Sequence, residues 1–241
     1  MGLAGWHRVA AVTTFALVHG AWHGAWCWER LTGPLRDRGH EVVVPELPSE
    51  DTGAGLEEYA DTIERALGEA DDVVLVPHSV GGLVGPVIAA RRPLRALVYV
   101  SALVPEPGLS FGDQLAASDE PILLFQGGRE MDEQGRSHWP DPEATARIMY
   151  PDLTPGDAGW AAGRLRPQAQ RSQTERSPVP PPGLRTESIV GTGDRIISPD
   201  WSRRVARERL DAEPAELAAG HFSMITHPEP LADALSRLGR G

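Results

Sequence analysis

One serine in this chain stands where the backbone has to bend sharply. Ser79 follows the apolar run Asp72-Val-Val-Leu-Val76 and the pair Pro77-His78, and it precedes Val80, Gly81 and Gly82. Apolar residues at Leu83, Val84, Val87 and Ile88 then recur at helical spacing. So few residues between a buried strand and a helix leave only a tight turn, in which the glycines give the backbone room and the hydroxyl points out of the sheet. That is a nucleophile elbow. Its usual signature is Gly-x-Ser-x-Gly, and Pro77 replaces the first glycine here, so the competing reading is a strand-to-helix turn with an incidental serine.

A serine hydroxyl attacks a carbonyl efficiently only when a base takes its proton, and the base needs a carboxylate to hold its tautomer. The acid belongs after a later strand, and Ser188-Ile-Val-Gly-Thr-Gly-Asp194 ends such a strand in a glycine-flanked turn. Against this stands an ordinary Gly-Asp turn, with Glu106 as the reserve acid. Among eight histidines, His7 and His40 precede strands on the opposite edge, His138 lies between the sheet halves, and His227 precedes a proline at a helix start. His221, in Ala-Ala-Gly-His-Phe just past the last strand, falls at the edge that holds Ser79 and Asp194. The oxyanion of a tetrahedral intermediate also needs donors. The backbone N–H of Val80, at the start of the elbow helix, and that of Ala21, after His19-Gly20, are in the right places, with His19 shaping its turn by hydrogen bonding.

These residues need a sheet to carry them. A buried strand at 14–18, a helix over 25–38 stopped by Gly39, a strand at 41–44 and a helix bearing Leu56, Tyr59, Ile63 and Leu67 precede the elbow. Another strand at 95–100 completes a β/α alternation that implies a doubly wound, mostly parallel sheet. Between Pro105 and Pro182 the strand rhythm stops, and helical patches appear at 142–149 and 155–165. We read 105–182 as an inserted helical cap, closed by Pro178-Val-Pro-Pro-Pro182, on a core formed by 1–104 and 183–241. The sheet resumes at 185–190, followed by a helix at 199–210, a weak edge strand at 212–217 marked by Pro214, and a last helix with Leu231, Ala234, Leu235 and Leu238. A cap carrying Leu115, Phe125, Trp139, Met149 and Trp160 is expected to form an apolar pocket over Ser79, with Trp22, His78 and Phe222 beside it. Plain packing accounts for any one of these side chains equally well.

Composition narrows the partners. Lys+Arg 23 against Asp+Glu 34 gives a net charge of −11, and all the basic residues are arginine, so lysine chemistry is excluded and neither nucleic acid nor an anionic membrane is expected as a partner. Cys27 is the only cysteine, which rules out an intrachain disulfide and a cysteine-rich metal site. It reads as a small buried hydrophobe. The apolar stretch Arg8 to Val18 is interrupted by Thr13-Thr14 and reads as a strand rather than a leader, so a cytoplasmic location is expected, and a homodimer is compatible with the chain.

Phe15-Ala-Leu-Val-His-Gly-Ala-Trp-His-Gly-Ala-Trp-Cys-Trp28 resembles the opening of the α/β-hydrolase superfamily, in the branch of small esterases similar to plant methylesterases and hydroxynitrile lyases. The likeness extends through Pro77 to Gly82, Ala102 to Pro107, Gly193-Asp194-Arg195 and Gly220-His221, and the order Ser79, Asp194, His221 is that of the superfamily. The resemblance implies Ser79 as nucleophile, His221 as base, Asp194 as its partner, and no cofactor or metal. Two departures matter. Pro77 removes a donor near a crowded turn, and Phe222 and Gly20-Ala21 stand where the lyases carry a lysine and a threonine. The expected activity is therefore hydrolysis of a small hydrophobic or aromatic carboxylic ester, lactone or thioester through an acyl-enzyme. A ligand-binding pseudo-enzyme and a lyase- or synthase-like use of the same oxyanion hole are the alternatives.

Overall fold

The computed structural model describes residues 12–125 and 127–239. His7 and the first residues of the Arg8 to Val18 stretch lie outside them. The chain runs β1 (Thr14–Val18), α1 (Glu29–Asp37), β2 (Glu41–Val43), α2 (Leu56–Leu67), β3 (Val73–Pro77), α3 (Gly85–Arg91) and β4 (Ala96–Val100). The inserted segment holds α4 (Phe111–Ala117), β5 (Glu130–Met131), β6 (Ser137–His138), α5 (Pro142–Met149), α6 (Pro155–Ala162) and α7 (Arg171–Thr174). The second half of the core supplies β7 (Thr186–Gly191), α8 (Pro199–Leu210), β8 (Ala215–Leu217), α9 (Ser223–Thr226) and α10 (Pro228–Gly239). The main sheet has the order β2-β1-β3-β4-β7-β8 with every pairing parallel.

Strands β1, β3 and β4 are buried along their whole length, which is why they read as unbroken apolar runs rather than alternating ones. From β1 the chain steps outward to β2, then crosses back to β3 on the other side of β1. The turns that follow β1 and β3 therefore diverge, leaving a crevice at the carboxyl ends of these two strands, the place where open α/β sheets bind ligands. The expected helix over 25–38 is a 3-10 turn at Ala25–Trp28 followed by α1, and Gly39, at φ 82°, ends it in a conformation that glycine adopts freely. Pro214 does precede an edge strand. The acidic face of α2 is clamped to α3 by Arg91, which pairs with Glu57, Asp61 and Glu64.

Inside the insertion, α5 occupies the expected 142–149 and α6 ends three residues short of Leu165, at Ala162. Both begin with an oxygen cap followed by proline. Asp141 accepts from the Glu143 and Ala144 amides and Thr154 from that of Asp157, so the fixed φ of Pro142 and Pro155 falls where no amide is needed. The short β5-β6 hairpin has no counterpart in the sequence reading, because two residues per strand are too few for a periodicity.

Pro77 proves harmless to the bend that follows it. It ends β3 opposite Val18, and the ladder between β3 and β4 lapses from Leu75↔Leu97 to the bridge His78↔Val100, the interval in which proline has no amide to donate. Beyond it the His78 amide donates to the Val18 carbonyl at 2.9 Å and Ser79 turns at φ 53°. A methyl group on Gly82 would stand 2.0 Å from the Leu103 carbonyl oxygen. Gly82→Ala should therefore destabilise the fold by about 1–3 kcal/mol through forced backbone movement. Gly159→Ala, on an exposed position of α6 with open space around it, should instead stabilise by up to about 1 kcal/mol. Urea unfolding of the two variants checks both signs.

Candidate active site

Three turns meet at the carboxyl edge of the sheet. The elbow after β3 lifts Ser79 at φ 53°, a left-handed conformation uncommon for a non-glycine residue. Its close neighbours are glycines by necessity. A Cβ on Gly20 would lie 2.6 Å from the Ser79 Cβ, and one on Gly81 would lie 2.6 Å from the His19 carbonyl oxygen. Ser79 and Val80 are half-buried, so the serine stays reachable while its backbone is enclosed.

The turn after β7 delivers Asp194, and the loop after β8 delivers His221. The two meet with His221 Nδ1 2.7 Å from Asp194 Oδ2, both side chains being 3 % exposed. The other carboxylate oxygen accepts from the Ile196 amide at 2.7 Å and the Ile197 amide at 3.0 Å. Three hydrogen bonds thus satisfy the buried carboxylate and aim it at the imidazole. Glu106, the reserve acid, pairs instead with Arg209 at 2.8 Å. The neighbour of Ser79, His78, has its ring centroid 4.5 Å from that of His221, and its Nε2 donates to the His221 carbonyl at 3.0 Å. His78 is fully buried, and burial, with His221 and His23 nearby, holds its pKa well below the usual histidine range. It braces the His221 loop from beneath, a correction to its expected place in a substrate pocket.

The turn after β1 holds the two other candidate groups. His19 Nδ1 donates to the Gly20 carbonyl at 2.9 Å and its Nε2 accepts the Leu47 amide at 3.1 Å, so His19 shapes the turn by hydrogen bonding. The amides of Ala21 and Val80 have no acceptor among the described residues. One unbonded amide thus lies in the elbow itself and one in the turn after β1 that packs against it.

The aromatic residues expected in one pocket separate into groups. Trp22, Phe125 and Trp139 do form a cluster, with centroids 5.6 to 6.3 Å apart, and Arg129 lies over the Trp22 and Phe125 rings. Trp160 packs instead against Trp26, Arg30 and Arg164, because α6 turns its alanines 158 and 161 inward and leaves the indole half-buried. Leu115 is 39 % exposed, since α4 buries Phe111 and Gln114 and turns Leu115 away. Met149 and Phe222 are buried in the core, Phe222 against His78, His221, His23 and Tyr150. Four clefts of about 210 to 490 Å³ have walls without Ser79. Of the residues expected to line an apolar pocket, Trp22, Phe125 and Trp139 are the ones brought together.

Sequence reasoning missed four polar residues that hold these turns. His23 Nδ1 donates to the Ala21 carbonyl at 2.7 Å, Tyr150 donates to His23 Nε2 at 2.8 Å, Gln168 accepts the Trp22 amide, and Asp152 accepts the Gly220 amide at 3.1 Å. Only His23 carried a signal, as the second histidine of the repeated His-Gly-Ala-Trp after β1. Cys27 is 1 % exposed and burial pushes its thiol pKa well up, which fits a small core side chain. Among the described residues no cluster of three or more His, Cys, Asp or Glu is placed to hold a metal, and no helix is long and apolar enough to cross a membrane.

Residues 15–234 match the alpha/beta hydrolase family. The chain belongs to that family. It is 32 % identical over 251 residues to a carbendazim hydrolyzing esterase of Nocardioides sp. (strain SG-4G), covering 95 % of this chain and 100 % of that one. It is 26 % identical over 253 residues to methyl jasmonate esterase 1 of Vitis vinifera, covering 93 % and 95 %. Among solved structures, a pyrethroid hydrolase from Sphingobium faniae JZ-2 superposes with a TM-score of 0.78 at 20 % identity, over 95 % of this chain and 98 % of that one, a likeness of fold.

Burial pulls the pKa of His23 down from 6.5 to about 3, with His19, His221 and Arg166 adding to the shift. Between those two values the unfolded chain binds a proton there that the folded chain refuses, so stability falls as pH drops through this window and is unaffected above it. One such group contributes a slope of up to about 1.4 kcal/mol per pH unit. His23→Asn keeps a donor near the Nδ1 position and cannot titrate. Its urea-unfolding free energy should therefore vary less between pH 6 and 5, by about that slope, and an unchanged pH dependence would contradict a neutral buried His23.

Proposed function

We propose that this hydrolase cleaves a small apolar or aromatic carboxylic ester through an acyl-enzyme, with Ser79 as nucleophile, His221 as general base and acid, and Asp194 as the orienting carboxylate. Esterase activity on small molecules is what its relatives are named for, one for carbendazim and one for methyl jasmonate. The single observation that carries the reading is the buried 2.7 Å bond between Asp194 and His221 Nδ1, at the edge where Ser79 projects from its elbow. That bond leaves Nε2 of His221 as the nitrogen that takes a proton.

In the first step the Ser79 Oγ adds to the ester carbonyl carbon while His221 Nε2 takes the hydroxyl proton. The carbonyl oxygen becomes an oxyanion that accepts from the Ala21 and Val80 amides. As the intermediate collapses, the C–O bond to the alcohol breaks and His221 returns its proton to the departing oxygen. Water, deprotonated by the same nitrogen, then cleaves the acyl-serine and regenerates the hydroxyl. Asp194 keeps the imidazole proton on Nδ1 and stabilises the imidazolium without taking the proton.

The inserted segment acts as a cap. Its Phe125 and Trp139 meet Trp22 of the oxyanion turn, and this half-buried aromatic wall favours an apolar acyl or alcohol group of modest size.

A panel of p-nitrophenyl esters of graded acyl length tests the reading, with turnover expected for short and aromatic acyl groups. Ser79→Ala and His221→Ala should each lower kcat by several orders of magnitude, and the double variant should be little worse than either, because the residues act as a unit. Asp194→Asn should leave the fold intact and still lower kcat by up to about 10⁴-fold, while Glu106→Gln should leave turnover near that of the unmodified protein. Full activity in Ser79→Ala, with folding verified by circular dichroism, would overturn the assignment.

A further inference from the structure

The two peptide units on either side of Ala21 contain four polar groups, and three of them are taken by side chains. The Gly20 carbonyl accepts from His19 Nδ1 at 2.9 Å, the Ala21 carbonyl from His23 Nδ1 at 2.7 Å, and the Trp22 amide donates to Gln168 Oε1 at 3.4 Å. Only the Ala21 amide is left unbonded. The orientation of that amide is therefore not a property of the turn alone. It is set by what holds its neighbours, and two of those holders involve the inserted segment, Gln168 as one of its residues and His23 through a bond to it.

His23 lies between the rings of Trp26 and Phe222, stacked at 5.2 and 4.7 Å with interplanar angles of 24° and 26°. This sandwich fixes the plane of the imidazole. It does not decide which nitrogen carries the proton. The Ala21 carbonyl, which can only accept, places it on Nδ1, and the second partner meets the lone pair that this leaves on Nε2. Tyr150, which ends α5, is 1 % exposed, and its hydroxyl lies 2.8 Å from His23 Nε2. Burial raises its pKa well above the usual tyrosine range, so the hydroxyl keeps its hydrogen and is available as a donor. A hydroxyl that donates to Nε2 obliges the ring to carry its own proton on Nδ1, where it meets the Ala21 carbonyl. With the proton on Nε2, the Nδ1 lone pair would face that carbonyl oxygen at 2.7 Å, and the turn would be pushed away.

We propose that Tyr150 is a positioning residue for the oxyanion hole, holding His23 in the Nδ1-protonated tautomer so that the Ala21 carbonyl is anchored and the Ala21 amide is aimed at the developing oxyanion. The proposal rests on Ala21 being an oxyanion donor, as read above. It makes the inserted segment part of the catalytic apparatus without any contact between Tyr150 and substrate. It also explains why a tyrosine buried in the insertion spends its hydroxyl on a histidine of the core.

The loss should appear in the transition state alone, because an oxyanion forms only there. Tyr150→Phe removes one oxygen from a packed ring. With the p-nitrophenyl ester that turns over fastest, it should lower kcat about tenfold while KM stays within about twofold. His23→Asn places a side-chain amide where Nδ1 stood and cannot switch tautomer, so adding Tyr150→Phe to it should change kcat no further. The imidazole nitrogen shifts of His23 in the ¹⁵N-labelled unmodified protein should report an Nδ1-bound proton, a readout independent of any variant folding and of any substrate. An Nε2-protonated His23 would overturn the proposal. So would an unchanged kcat in folded Tyr150→Phe, or an equal loss on adding that change to His23→Asn. Failure of the esterase reading shows separately, as full activity in Ser79→Ala.

Discussion

The turns after β1 and β3 approach each other so closely that there is no room between them for a methyl group. Gly20 is held against Ser79 and Gly81 against the carbonyl of His19, and each would collide at 2.6 Å if it carried a Cβ. This contact follows from the topology, because β1 and β3 are hydrogen-bonded neighbours whose chains leave the sheet in different directions. Everything chemical at the edge depends on it. It brings the turn that carries Ala21 against the serine of the elbow. A sheet that placed another strand between β1 and β3 would separate the serine from the turn after β1, whatever residues it carried.

A second dependence runs from the insertion back to the core. Asp152 holds the Gly220 amide next to His221, Gln168 holds Trp22, and Tyr150 holds His23. Gln168 is itself fixed by donating to the Tyr59 hydroxyl at 3.1 Å and the Ala169 carbonyl at 2.8 Å. Each bond joins a side chain of the insertion to a loop that rises from a strand end. Buried polar groups that are all satisfied make such loops rigid, whereas a missing partner leaves a buried donor or acceptor unpaired at a cost of roughly 1–3 kcal/mol. The insertion supplies partners that the loops of the core cannot find in the sheet.

The sheet, the bend at Ser79 and the meeting of Asp194 with His221 were legible because they are written in local chemistry. Unbroken apolar runs marked the buried strands, and the glycines after Ser79 marked a turn where a Cβ does not fit. The glycine-flanked Asp194 and the His221 loop fell where the strand order carries them. What escaped the sequence is side-chain direction within the insertion. Leu115 and Trp160 looked like pocket residues by type, but α4 and α6 have short and weakly amphipathic faces, so nothing in the spacing said which side would turn inward. His78 looked like a pocket residue by position, and its burial beneath His221 depends on a bond to a carbonyl 143 residues away. Pro77 was the opposite case. It threatened the elbow on paper, yet its lost rung falls between β3 and β4, while the bond that sets the bend comes from the next residue, His78.

Backbone strain collects at the same edge. Trp22, Ser79 and Ser101 take φ values of 61°, 53° and 41°, and each stands just beyond one of the neighbouring strands β1, β3 and β4. A non-glycine residue held this way costs on the order of 1–3 kcal/mol and persists only where its surroundings over-determine it. Ser79 is held through its carbonyl, which accepts the Leu103 amide at 3.0 Å, and Ser101 through its amide, which donates to Ile189 at 2.9 Å. Both partners belong to the sheet core or to the chain directly following β4. Trp22 differs, because its carbonyl accepts from Arg166, its amide donates to Gln168 and its indole donates to Ser137 at 3.0 Å. All three partners lie in the insertion. Of these three strained positions, the turn that carries Trp22 is thus the one held by the insertion rather than by the sheet, so this turn and the insertion should order together.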